Sequence, residues 1–344
     1  MSKKTAVVIC PGRGTYNKTE LGYLHKYHQN KMDFFQAIDN YRKVQGQPSI
    51  LDLDGRKEYS VKEHIPGENS AALIYACSYA DYLDINHDNI EVVAVAGNSM
   101  GWYLASVCAG AMNISNGTHV INTMGSQMKE KIIGGQVIYP EVDENWNFSP
   151  ELSKMIDEKM ALVNKNGPEV FNSIFFGGFR IIGGTESGLR QIMKELPPRE
   201  ERYPFKLMGN AAFHTPLLQE TSLKGKSELG VELFQAPRIP LIDGRGKIWM
   251  PYSTNVNELW DYTLGHQVVE TYDFSKSIEV AVKEFAPDYL IITGPGMTLG
   301  GAVAQVLINK NLKPFKNKEE FKNFQKTSPY LISMAEPEQR KIIT

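Results

Sequence analysis

The stretch 90–112, IEVVAVAGNSMGWYLASVCAGAM, constrains the fold more tightly than any other part of the chain. Its first half, residues 90–96, is a short apolar, β-branched run of buried-strand character. Gly97-Asn98-Ser99-Met100-Gly101 follows, and in residues 102–112 small and apolar side chains recur at helical spacing. Strand, G-x-S-x-G and helix in that order form the context of a nucleophile elbow. The two glycines let the chain turn sharply without Cβ clashes, which leaves the Ser99 hydroxyl exposed at the tip. The helix start behind it offers free backbone N–H groups beside a reacting carbon. The motif alone also occurs by chance in ordinary strand-to-helix turns; the flanking pattern is what favours a nucleophile.

A length of 344 residues implies about two domains and a large buried core. Hydrophobic content of 42% and charged content of 22% are those of an ordinary globular protein. A net charge of −2 argues against nucleic-acid binding, which calls for a basic excess. Cys10, Cys77 and Cys108 sit in apolar segments without paired spacing, so they read as free thiols, not as a disulfide or metal framework. The first apolar run is too short for a signal peptide, and no run is long enough to span a membrane. The expectation is a cytoplasmic protein with no metal.

Residues 5–10 form a first buried strand, stopped by Pro11-Gly12-Arg13-Gly14. This is not a dinucleotide fingerprint, because position 17 is Asn17 where a third glycine is needed. Residues 21–42 are helical in pattern, with His25 and His28 three apart; a solvated face is expected there in preference to a metal pair. Residues 68–83 form an Ala-rich helix, and residues 115–131 another. Residues 136–207 differ in flavour, alternating short strands (135–139, 179–182) with polar helices (150–158, 186–195), and read as a small α+β insertion. The main unit resumes at 207, with a helix near 274–285 and a strand at 288–293 running into Gly294-Pro295-Gly296. The organisation expected is a core of residues 1–130 and 207–312, a small domain of 131–206, and a lysine-rich surface extension, 313–344.

A serine hydroxyl needs a base. Of seven histidines, His214 sits in the most constrained segment, Asn210-Ala211-Ala212-Phe213-His214-Thr215-Pro216, although a lone histidine is more often structural than catalytic. No carboxylate presents itself as the third member of a triad.

Four motifs taken together resemble the malonyl-CoA:acyl-carrier-protein transacylase family, which includes the acyltransferase domains of fatty-acid and polyketide synthases. They are Pro11-Gly12-Arg13-Gly14-Thr15, Gly97-Asn98-Ser99-Met100-Gly101, Ala212-Phe213-His214-Thr215-Pro216 and Gly294-Pro295-Gly296-Met297-Thr298-Leu299, in family order over about residues 5–305. The resemblance implies an α/β-hydrolase-like large domain with an inserted ferredoxin-like small domain, and an active site in the cleft between them. It implies Ser99 as nucleophile, His214 as base, and an oxyanion site made by the backbone N–H groups of Met100 and Arg13. The histidine would be oriented by a backbone carbonyl, with the region of Asp273 as the tentative match. The substrates implied are acyl-CoA and phosphopantetheine thioesters with no bound cofactor, and the partner is an acyl carrier protein.

Departures from the family pattern bear on the substrate. The arginine that pairs with a malonyl carboxylate in the family is Met124 here, which suits acetyl or a longer acyl group. Arg13, where the family has glutamine, is either a replacement guanidinium on the opposite wall or a residue turned to solvent or to a structural carboxylate, and Asn98 stands where the family has histidine. Trp102 replaces a family glutamate without an evident role. Three functions remain open: acyl transfer from coenzyme A to a carrier protein, proofreading hydrolysis of carrier thioesters, or a non-catalytic place in a synthase. Carrier proteins are acidic, so Lys310, Lys313, Lys316, Lys318, Lys322 and Lys326 are docking candidates, with a solvated tail as the alternative.

Overall fold

The computed structural model describes residues 2–129, 132–167 and 169–344. Two sheets organise them. The larger has the order β11-β10-β1-β2-β7-β8, from β1 (Lys4–Cys10), β2 (Ile90–Gly97), β7 (Leu241–Ile242), β8 (Ile248–Trp249), β10 (Tyr289–Ile292) and β11 (Leu331–Ser333). All its pairings are parallel except β7 with β8. Strands covered by helices on both faces need apolar side chains throughout, which is why β1 reads as an unbroken run from Ala6 to Cys10, every residue fully buried. The helices Gly67–Leu83, Gly101–Cys108 and Ile114–Ser126 pack on one another beside the β1–β2 pair, and Phe274–Phe285 packs on β2.

The smaller sheet has the order β6-β3-β5-β4-β9, from β3 (Gly135–Pro140), β4 (Val170–Phe176), β5 (Phe179–Gly184), β6 (Phe205–Leu207) and β9 (Tyr272–Asp273). Helices Pro150–Val163 and Glu186–Glu195 close a separate apolar core on it, including Val137, Ile156, Val170, Ile182 and Ile192. Its edge strand β9 comes from outside residues 131–206 and pairs parallel to β4, tying the insertion to the main unit.

Three expectations need correction. The pattern over 21–42 is not one helix: Tyr23–Tyr27 and Met32–Val44 are separated at His28. That residue is no solvated histidine. It is fully buried, with Nε2 2.9 Å from Asp81 and Nδ1 3.1 Å from Asp84, while half-exposed His25 pairs with Asp54. Nor is 313–344 a surface extension. β11 is an edge strand of the main sheet, and the helix Pro337–Ile343 buries Ile343 completely and seats Arg340 on Asp81 and Asp84 at 2.7 and 2.9 Å. A polar sequence concealed this because the charges are neutralised pairwise inside the fold.

Candidate active site

The β2 strand runs into Ser99, whose φ of 56° lies in the left-handed region, and the elbow helix Gly101–Cys108 starts two residues later. The turn is as tight as the sequence requires. A Cβ on Gly97 would come within 2.1 Å of the Gly101 carbonyl, and one on Gly101 within 2.3 Å of the Cys10 carbonyl. Substitution at either would force apart β1, β2 and the helix, so the glycines hold the serine at the edge of the sheet.

Ser99 Oγ lies 2.6 Å from His214 Nε2. His214 is also left-handed, with φ 57°, and is 3% exposed. Its Nδ1–H donates to the Gln267 carbonyl at 2.5 Å, which leaves Nε2 with the lone pair facing the serine. Gln267 begins the last helical segment, Gln267–Val269. The chain turns extended at Glu270, so the Gln267 carbonyl is one of those left open at a helix end, and the histidine takes it. The negative end of a helix dipole thus stands where a triad carboxylate would, favouring a positive imidazolium during proton transfer. Burial is the larger influence at rest and lowers His214 to about 4, with the Gln267 carbonyl opposing it.

Gln267 also reaches back with its side chain. Nε2 donates to the Ser99 carbonyl at 3.0 Å, and Oε1 accepts from the Tyr103 hydroxyl at 3.1 Å. Asp273, the tentative orienting residue, lies away from His214: its carboxylate caps the helix Phe274–Phe285 by accepting from the Lys276 N–H at 2.7 Å. The correct carbonyl was not legible because any residue can supply one. Among the described residues, the backbone N–H groups of Met100 and Arg13 have no protein acceptor.

A pocket opens over Ser99, walled by Met100, Tyr103, Met124, Phe213, Leu218 and Val268, with Arg13 as its one guanidinium or ammonium among the described residues. The Arg13 guanidinium donates through Nη2 to the carbonyls of Ile65 and Gly209 at 3.3 and 3.1 Å, and lies 5.5 Å from the centre of the Phe213 ring. Burial lowers it to about 10, with the charge of Glu68 opposing, and among the described residues it forms no salt bridge. Arg13 also lines a neighbouring surface cleft with Lys62, Met128 and Lys129. Asn98, expected at the substrate, does not line the pocket: it packs below the elbow against Gly12, with Oδ1 unpartnered among the described residues. None of the C-terminal lysines lines the pocket or the cleft; Lys310 pairs with Glu279, and Lys313 and Lys318 sit over the rings of Tyr330 and Trp146. Among the described residues, no helix is long and apolar enough to cross a membrane.

No protein-family model matches the chain. Curated relatives do. The malonyl CoA-acyl carrier protein transacylase of Bacillus subtilis is 24% identical over 225 residues, 63% of this chain and 65% of that protein. That of Escherichia coli K12 is 22% identical over 62% of this chain and 65% of its own length. The match to these two thus spans somewhat under two thirds of their length. The Buchnera aphidicola protein of the same name is 22% identical over 90% of this chain and 96% of its own. Among solved structures, the malonyl-CoA:ACP transacylase of Synechocystis superposes with a TM-score of 0.75 at 15% identity, covering 99% of this chain and all of that one. A malonyl-transacylase in complex with the type II polyketide carrier protein AntF gives 0.70 at 17% identity, covering 94% and 100%. At such identities the structural likeness is one of fold, α/β with a ferredoxin-like small subdomain. The chain's curated homologues and structural neighbours are malonyl-CoA:acyl-carrier-protein transacylases, at the low identity of a divergent member.

Proposed function

We propose that the chain is an acyltransferase that moves a short acyl group, malonyl foremost, from coenzyme A to an acyl carrier protein in fatty-acid or polyketide synthesis. The observation that carries this reading is the Ser99–His214–Gln267 relay at the floor of an apolar pocket with one guanidinium in its wall. In it, Ser99 Oγ attacks the thioester carbonyl carbon while its proton passes to His214 Nε2. The oxyanion is met by the N–H groups of Met100 and Arg13. The C–S bond then breaks, and the departing sulfur takes the proton from His214, leaving an acyl-Ser99 ester. The carrier's pantetheine thiol gives its proton to His214, attacks the ester carbon, and releases Ser99 with the proton returned. The fold match to a transacylase solved with its carrier supports that partner.

Pocket size and charge bear on the acyl group. The space over Ser99 is about 50 Å³, room for roughly four waters by the usual volume per site, which favours a short chain over a long one. Met124 offers a carboxylate nothing, but Arg13 faces the same pocket, feels the charge of Glu68 without a salt bridge to it among the described residues, and could take a malonyl carboxylate. Intact-protein mass spectrometry after brief exposure to malonyl-, acetyl- and longer acyl-CoA tests this. Wild type should gain the malonyl mass, and Ser99→Ala none. Labelling by acetyl-CoA alone would make Met124 the specificity determinant, and rapid release of free acid in place of carrier loading would turn the enzyme into a hydrolase.

A further inference from the structure

We propose that Trp102 and Thr263 are positioning residues for His214, acting through the π-helical turn Tyr262–His266 that delivers the Gln267 carbonyl. Trp102 stands in the first turn of the elbow helix and is fully buried. Its indole N–H donates to Thr263 Oγ1 at 3.0 Å, and that hydroxyl donates onward to the Leu259 carbonyl at 2.7 Å. The indole stands edge-on to Tyr262, with ring centres 5.1 Å apart at 87°. Tyr262 is itself pinned, its hydroxyl accepting from the Gly244 N–H at 2.8 Å. On the other side of the turn, the Ser222 hydroxyl donates to the Leu264 carbonyl at 2.6 Å.

The geometry gives these ties a function. A π-turn carries an extra residue, so the segment after it is rotated by about 100° relative to a continuous α-helix. Gln267 is the first residue after the turn, and its carbonyl meets His214 Nδ1 only in that rotated frame. Such turns are intrinsically unfavourable and persist where tertiary contacts hold them. Here two consecutive residues of the helix behind Ser99 grip the segment: Trp102 holds the turn at Thr263, and Tyr103 holds the Gln267 side chain, which in turn bonds the Ser99 carbonyl. The nucleophile and the acceptor that orients its base are therefore built on one rigid unit, which accounts for a tryptophan where the resemblance led to a glutamate.

The importance of this unit rests on the proposed chemistry, but its test needs no thioester, because a sulfonyl fluoride reports directly on a serine activated by its histidine. The rate of Ser99 labelling by phenylmethylsulfonyl fluoride is followed against pH in wild type, Trp102→Phe, Thr263→Val and Thr263→Ser. His266 stacks on Tyr262, with Arg245 over the same ring and Asp243 near both, so each protein also carries His266→Gln to leave His214 as the titrating imidazole. Trp102→Phe and Thr263→Val should label about tenfold slower on the plateau, as expected for a misplaced base. Their acid limb should move to lower pH, since an imidazole without the Gln267 acceptor binds its proton less well. Thr263→Ser should match wild type, and the double variant should be no slower than either single, since both remove the same bond. Wild-type labelling and an unmoved acid limb in Thr263→Val, even with a lowered Tm, would reduce the contact to packing and overturn the proposal. If the labelling pattern holds and no thioester acylates Ser99, the positioning role stands and the transferase reading falls.

Discussion

Arginines withdrawn from water occur here both with and without paired carboxylates. Arg340 is 8% exposed and Arg180 4%, and each is fully partnered: Arg340 with Asp81 and Asp84, Arg180 with Glu141 and Asp157, with Asn172 and Ser153 completing its hydrogen bonds. Those carboxylates outweigh burial and raise both guanidinium pKa values. Arg13 is also taken from water, but its hydrogen bonds go to two neutral carbonyls, and burial lowers it to about 10. A desolvated charge left without a counter-ion is costly, whereas one paired inside the fold belongs to its stability. Arg42 sharpens the comparison: fully buried and likewise lowered to about 10, it is satisfied by the Pro48 and Glu68 carbonyls and the Asn69 and Asn122 side chains, so what sets Arg13 apart is its place in the wall of the pocket over Ser99.

Variants can break or sharpen this contrast. The largest stability effect is expected from Arg340→Met, which leaves Asp81 with His28 and Asp84 with His28 and Lys31 as their remaining cationic partners and should lower unfolding free energy by about 3–5 kcal/mol, read by denaturant titration. It should also flatten the acid dependence of stability. His28 and Lys31, with Arg340 adding a smaller share, outweigh burial and hold Asp84 well below the ordinary carboxylate range, so its contribution is present above that range and is lost as pH falls, and the variant removes only the Arg340 share. Next comes Arg13→Gln, for which the proposed clamp predicts a loss of about 10–100-fold in kcat/KM for malonyl-CoA and little change for acetyl-CoA. Its stability should fall far less than that of Arg340→Met, because no salt bridge is broken and only the field at Glu68 is lost. A fall in stability like that of Arg340→Met, with malonyl kinetics intact, would erase the distinction. A pH profile of acylation ranks third. His214, lowered to about 4, is neutral and active as a base through the pH range where an ordinary histidine is already protonated. The rate should therefore stay level through pH 6.5 and fall only as the acid limb near pH 4 is reached. The smallest effect belongs to the solvent-exposed pair Lys206–Glu186, where Lys206→Ala should change stability by less than about 1 kcal/mol.

Most of the strand–turn–helix around Ser99 could be read from the chain alone, because each of its demands is local. A buried parallel strand needs an apolar run, a left-handed tip between packed backbones needs flanking glycines, and a helix behind it needs small residues; all lie within residues 90–112. The inserted small domain was legible in part, as short strands between polar helices, although β4 and β6 were not read, nor the edge strand β9, two residues borrowed from far along the chain.

Interactions that join distant segments left no such trace. His28 reads as one more polar residue in a lysine-rich helix until Asp81, Asp84 and Arg340, up to 312 positions away, enclose it. Gln267 serves the site through a carbonyl that every residue possesses, and Trp102 through an indole N–H whose acceptor lies 161 residues on. Local order comes from backbone sterics and the periodic burial of side chains, which act over a few residues and are written there. The pairing of His28, the orientation of His214 and the exposure of Arg13 to the pocket arise from contacts between elements, and those exist only once the elements have packed.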